Sequence, residues 1–344
     1  MLDCGAVMSK VDPAVFYWLD NDNCVYGILA CHVDDFVWGG TAAFDAVVAK
    51  IRASLSVGKE TAKAFKYCGM ELETNQQEIY LHQESYIDSL TPIEIGAEMA
   101  MEKDAGLTPS ETSAVRSKVG QLLWVAHQSR PDLLFDVTKI ANNRSCGTVG
   151  DILDINKVIG KAKTTPSRLK FQKLCESDDK LNVVVYTDAA LGNMPDGGSQ
   201  GGFLIMLVGP STKFSPIWWN SKKIRRVVRS TLAAETLAMA EGIDTSLFVC
   251  TLLSELLYGT SDPSCIPVTC FTDCKSLWEA VRSHKSVSEK RLRLDMNGIK
   301  ELLNAGQIKT VEWVKTEQQL ADCLTKQGAS AGFLRRALQT GILC

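Results

Sequence analysis

NVVVYTDAA, residues 182–190, is the stretch on which the reading of the chain turns. Three valines and a tyrosine make a strongly β-forming run, and Thr187 and Asp188 close it. The same form returns at 267–273, PVTCFTD, where Asp273 follows Thr272. Each reads as a buried strand that ends in Thr-Asp. An acid in that place lies at the rim of a sheet, close to the core and partly out of water. One such acid is an ordinary turn or cap residue. If the two strands are neighbours, however, the two carboxylates converge, and converging carboxylates repel unless a cation lies between them.

The surrounding sequence supports a sheet. GGFLIMLVG (201–209) and SPIWWNSKK (215–223) are apolar runs joined by Gly- and Pro-containing turns, which predicts an antiparallel meander with 182–190. A long helical run follows at 231–258, with Ser230 and Thr231 as candidate caps and Glu235 in its opening turns. Helices are expected at 275–283 and 287–304, the second ended by Ala305-Gly306, and a half-exposed strand over 308–316. TEQQLADCLTK (316–326) opens with the capping-box spacing Thr316 to Gln319 and reads as a helix with Asp322 early in it. The order βββαβααβα defines an α/β (α+β) domain with a mixed sheet flanked by helices.

Two strand-end acids and two helix-start acids, Asp188, Glu235, Asp273 and Asp322, are thus the candidate site. Hard divalent cations such as Mg²⁺ take oxygen ligands. Two such ions about 4 Å apart can activate a water and stabilise the leaving oxygen of a phosphodiester. Zinc is disfavoured, because the chain has four histidines and its twelve cysteines form no C-x-x-C pair.

The 344 residues suffice for two or three domains of roughly 100–200 residues. There is no run of about 18 uncharged apolar residues and no basic-then-apolar leader, so an intracellular protein with reduced thiols and no membrane partner is expected. The net charge is −3, but basic residues cluster at 161–173, at Lys222, Lys223, Arg225, Arg226 and Arg229, and at 285–293. Such patches can grip phosphates, or can be solvated surface.

The amino-terminal part reads differently. AVFYW, CVYGILACHV and FVWGG, within 14–40, are three strands, with Asp34 and Asp35 side by side at the tip between the last two. Residues 41–56 have helical spacing, with Phe44, Val47, Val48, Ile51 and Leu55 on one face. FKYCGMELE (65–73) and EIYLHQ (78–83) predict a hairpin turning at 74–77, and ESYIDSL starts a helix. Residues 91–109 read as loop, 111–145 as two helices with Pro131 opening the second, and 150–164 as another helix. The adjacent acids Asp34 and Asp35 suit Mg²⁺, or are a plain turn tip.

At this point the segments resemble, in order, the copia-type LTR retrotransposon Pol polyprotein. HVDDFVWGG is similar to the Tyr-x-Asp-Asp hairpin of reverse transcriptases in its Val-Asp-Asp variant. SRPDLLFDV resembles the family's connection, with Arg130, Pro131 and Asp132 intact. YTDAALG, WNSKK, RSTLAAETLAMAEG, FTDCKSLWEAV and LADCLTK resemble its ribonuclease H domain. The resemblance implies a partial reverse-transcriptase palm at 1–95, a helical thumb or connection at 96–175, a ribonuclease H-like domain at 176–330 and a tail at 331–344. It implies hydrolysis of the RNA strand of an RNA–DNA hybrid, with Mg²⁺ (or Mn²⁺) as two ions on Asp188, Glu235, Asp273 and Asp322. Glu235 rather than Glu241 matches the Ala-Glu motif. Lys222, Lys223, Arg225 and Arg226 would hold phosphates, and Thr187, Ser230 and Ser276 are candidates to meet 2′-hydroxyls. Polymerase metal binding would fall on Asp34 and Asp35. With His32 in the usual tyrosine position and without the palm's third carboxylate, no polymerase activity is expected. Lys290, Arg291, Leu292 and Arg293 replace the common Lys-His-Ile-Asp, which puts substrate positioning at issue. A non-catalytic nucleic-acid-binding remnant is the alternative.

Overall fold

The structure is a computed structural model and describes residues 1–55, 58–75, 77–142, 147–175, 180–285 and 287–343. The end of the helix expected at 41–56, part of the turn at 74–77 and residues 143–145 of the helical pair lie outside the described residues.

Four antiparallel strands, β1 (Val7–Met8), β2 (Val15–Leu19), β3 (Val25–His32) and β4 (Asp35–Gly40), form the first sheet in that order. One face of it is covered by α1 (Asp45–Ser54), with Trp18, Leu29, Phe44, Val47, Val48 and Ile51 as the core. Leu55, expected on that face, is exposed. Gly27 is required here, since a Cβ would lie 2.0 Å from the Phe44 ring. The sheet is tied to the rest through buried Glu255, which accepts from the Ser9 hydroxyl and from the Lys10 amide at 3.1 Å.

FKYCGMELE is not one strand. It is a hairpin of β5 (Ala64–Tyr67) and β6 (Met70–Thr74), because Cys68 and Gly69 both adopt positive φ, 48° and 73°, and close a two-residue turn. β7 (Glu78–His82) continues this sheet and α2 (Glu84–Ser89) follows. The stretch expected to be loop carries a short helix, α3 (Ala97–Met101). α4 (Pro109–Gln128) starts earlier than its apolar face suggested. Thr108 and Glu111 form a reciprocal capping box, and Pro109 takes the first helical position. Pro131 opens a 3₁₀ turn that leads into α5 (Leu134–Asn142), and α6 (Val149–Thr164) follows. β8 (Leu169–Gln172), unforeseen in the sequence, pairs with β7 and completes the second sheet.

The third sheet has five strands in the order β11-β10-β9-β12-β13. β9 (Asn182–Ala190), β10 (Gln200–Val208) and β11 (Phe214–Lys223) are the antiparallel meander. After α7 (Thr231–Tyr258) the chain enters β12 (Val268–Thr272), parallel to β9. α8 (Lys275–Arg282) and α9 (Lys290–Asn304) lead to β13 (Thr310–Trp313), parallel to β12. α10 (Gly332–Thr340) is the last described helix. This is the mixed α/β sheet flanked by helices that the sequence implied. Pro216 is tolerated because β11 is an edge strand and its register shifts there.

The continuous apolar character of β9 and β10 has a simple cause, since both faces of the sheet are covered. On one face Val183, Val185, Phe203 and Ile205 pack on Met239 and Ile243 of α7 and Met296 of α9. On the other, Val184, Tyr186, Leu204 and Met206 pack with residues of α4, α5, α6 and α10. Helix α7 is long and apolar enough to cross a membrane by length and composition, yet here it lies on the sheet as a core helix. The intact Arg-Pro-Asp motif is a structural device. Arg130 is fully buried, its Nε and Nη2 each donating to Asp132 at 2.8 Å and its Nη1 to the Ala162 carbonyl at 3.0 Å.

Candidate active site

The register of the central strands decides the site. Val183–Tyr186 of β9 pair with Val268–Phe271 of β12 in parallel, so both Thr-Asp ends emerge at one edge. The Ser230 hydroxyl accepts from the Ala233 amide and fixes the start of α7 beside that edge. The result brings ligand oxygens of Asp188, Glu235 and Asp273 within 4.8 Å of one another. Asp188 and Glu235 are buried and Asp273 is half-buried. Glu241, the rival glutamate, instead pairs with Lys222.

Burial dominates the electrostatics. It pushes the Asp188 carboxyl up to about 6, although Lys326 and the Thr325 hydroxyl pull it down. Burial also holds Glu235 well above the ordinary carboxylate range, and the charges of Asp188 and Asp273 add to this. Glu235 Oε2 is buried and has no hydrogen-bond partner among the described residues. A buried carboxylate oxygen without a partner is costly, and a bound cation would remove that cost. The donor set is all oxygen, which fits a hard divalent ion.

The segment after β13 does not form the expected helix. It makes two 3₁₀ turns, Thr316–Gln318 and Asp322–Leu324. The capping residues are used elsewhere. The Thr316 hydroxyl donates to Asp273 Oδ2 at 2.8 Å, and the Gln319 amide donates to the Thr187 carbonyl at 3.0 Å. The second turn lies over β10 at Gly202, where a Cβ would meet Leu324 Cβ at 2.7 Å and Thr325 Cγ2 at 3.0 Å. Thus Asp322 reaches the cluster's flank, where its carboxylate and Asp188 share the Lys326 ammonium, which is 3.3 Å from Asp188 Oδ1. None of Lys326, Thr325, Thr316 and Gln319 was singled out in the sequence as a site residue; Thr316 and Gln319 were read only as a capping box. Only Lys326 left a signal, its four-residue spacing from Asp322.

Other expected site residues lie apart. Asp34 is in the β3–β4 turn and Asp35 pairs with His32 at the start of β4; both are exposed. No third ligand group joins them among the described residues. Lys223 pairs with Asp196, and Arg226 holds Asp295 at 2.8 and 3.0 Å. Arg225 is exposed and makes no ion pair among the described residues. Thr187 is fully buried and so is withdrawn from any 2′-hydroxyl, the Ser230 hydroxyl serves as a cap, and Ser276 is exposed.

A buried carboxylate cluster at the edge of a mixed α/β sheet is the class of site this chain defines. No protein-family model matches the chain. It is 26% identical over 357 residues to the retrovirus-related Pol polyprotein from transposon RE2 of Arabidopsis thaliana, a match that takes in 100% of this chain and 23% of the relative. The chain therefore spans about a quarter of the length of that curated relative. It is similar to the structure of the foamy viral protease-reverse transcriptase in complex with an RNA/DNA hybrid, at 12% identity over 88% of this chain and 37% of that one, TM-score 0.47. It is also similar to the amino-terminal RNase H domain of rv2228c from Mycobacterium tuberculosis, solved as a fusion with maltose binding protein, at 17% identity over 42% of this chain and 91% of that one, TM-score 0.31. The chain is related to the retrovirus-related Pol polyproteins of transposons.

Proposed function

We propose that this is a copia-type Pol fragment whose 176–330 region hydrolyses the RNA strand of RNA–DNA hybrids inside the cell. The observation that carries the reading is the gathering of Asp188, Glu235 and Asp273 at one sheet edge, with Glu235 Oε2 unpartnered. Asp188, Glu235 and Asp273, with Asp322 at the flank, would hold two Mg²⁺, which Mn²⁺ could replace. Ions held there would polarise a water and neutralise charge on the departing 3′ oxygen. The chain's own residues do the rest. Thr316 orients Asp273, and Gln319 fixes the loop under Thr187. Arg225, free of ion pairs among the described residues, is the first of the four basic candidates to meet phosphate, whereas Lys222, Lys223 and Arg226 would have to leave carboxylates. Asp34 and Asp35, with no third ligand beside them among the described residues, are assigned no polymerase role.

The test is cleavage of a labelled RNA–DNA hybrid by the purified chain with Mg²⁺, beside Asp273→Asn. Cleavage by the wild type that the substitution abolishes supports the reading. Hybrid binding without cleavage by folded protein replaces it with a non-catalytic binding remnant.

A further inference from the structure

Lys326 stands in a place where a divalent ion and a side chain want the same oxygens. Its Nζ lies 3.3 Å from Asp188 Oδ1 and bonds Asp322 Oδ1. The other Asp188 oxygen accepts from the Thr325 hydroxyl. Both lysine-bound oxygens belong to carboxylates of the proposed ion site, and an ammonium there repels an arriving cation. Asp188 is fully buried, so its charge is expensive without a counter-charge. The lysine side chain is 39% exposed and rooted in a surface turn. Its flexible stem therefore allows the head to withdraw to water without moving the backbone.

We propose that Lys326 is a positioning residue that aligns Asp188 and Asp322 before an ion arrives and sets the site's affinity for divalent ions by competing with them. This rests on the carboxylate reading given above. It predicts a particular exchange: ion in, ammonium out toward solvent.

The experiment is calorimetric titration of the full chain with MnCl₂ and MgCl₂, for wild type, K326Q, K326R and D273N. K326Q is expected to bind the ion about tenfold more tightly than wild type, well within the size of one close charge–charge interaction near a protein surface. K326R keeps the charge and is expected to bind as wild type does. Equal affinity in wild type and K326Q overturns the proposal, as does equal tightening in K326Q and K326R, which would point to side-chain shape rather than charge. Binding by wild type that D273N abolishes upholds the carboxylate site independently of Lys326. No binding by any variant overturns both readings. If circular dichroism shows that K326Q does not fold, K326Q/D322N is compared with D322N, where the same tightening is expected and its absence overturns the proposal.

Discussion

Replacing Asp188 with Asn should make the ion-free protein more stable while removing its proposed activity. The side chain is fully buried, and burial is the main cause that moves its carboxyl from 3.8 to about 6. At pH 8 the carboxylate is ionised, and the gap between the two values corresponds to about 3 kcal/mol of destabilisation. Lys326 and Thr325 are already counted in that value, since both act to lower it. Asn has nearly the same shape and no charge, so Asp188→Asn should gain up to about 3 kcal/mol at pH 8. The sign follows from the raised folded value. Above pH 6 the wild type bears the full penalty, and between pH 6 and 4 its folded state takes up the proton and the penalty fades. At pH 4.5 the gain should have shrunk to about 1 kcal/mol. Urea unfolding in EDTA at the two pH values, followed by circular dichroism, measures both numbers. A variant less stable than wild type at pH 8, or a gain that does not change with pH, would refute the argument that burial dominates at this carboxylate.

Gly202→Ala should push the turn carrying Asp322 and Lys326 off the sheet, because its Cβ would lie 2.7 Å from Leu324 Cβ. A loss of about 1–3 kcal/mol by denaturant unfolding is expected, with weaker ion binding. Arg130→Met leaves Asp132 buried, with only Arg335 Nη1 at 3.6 Å as a cationic partner among the described residues, and should cost about 3–5 kcal/mol in the same assay without changing the candidate ion site. Thr316→Val removes the donor to Asp273 Oδ2 and should weaken Mn²⁺ binding about tenfold in calorimetry, with little change in stability.

The four acids were legible in the sequence because two strands end in the same Thr-Asp and because LAAE and LAD stand in motifs that resemble a known family. The meander, α7 and the mixed sheet followed from apolar runs that local chemistry punctuates. Local pattern also misled. Thr316 and Gln319 have capping-box spacing, yet their side chains are drawn to Asp273 and to the Thr187 carbonyl, and the helix gives way to 3₁₀ turns. A short-range capping preference is worth about 1 kcal/mol, so contacts with a buried site can override it. The strand β8 was hidden for a related reason. β8 exists through its pairing with β7, nearly a hundred residues earlier in the chain.

The sequence by itself singled out the four candidate carboxylates, since Asp188 and Asp273 directly follow buried strands and Glu235 and Asp322 stand in recognisable motifs. Only the tertiary structure decided how they meet. The parallel register of β9 and β12 puts Asp188 beside Asp273, Gly202 admits the turn that bears Asp322, and Lys326 falls between two acids distant in sequence. Convergence of charges is a property of register and close approach, and neither is written in any single stretch of the chain.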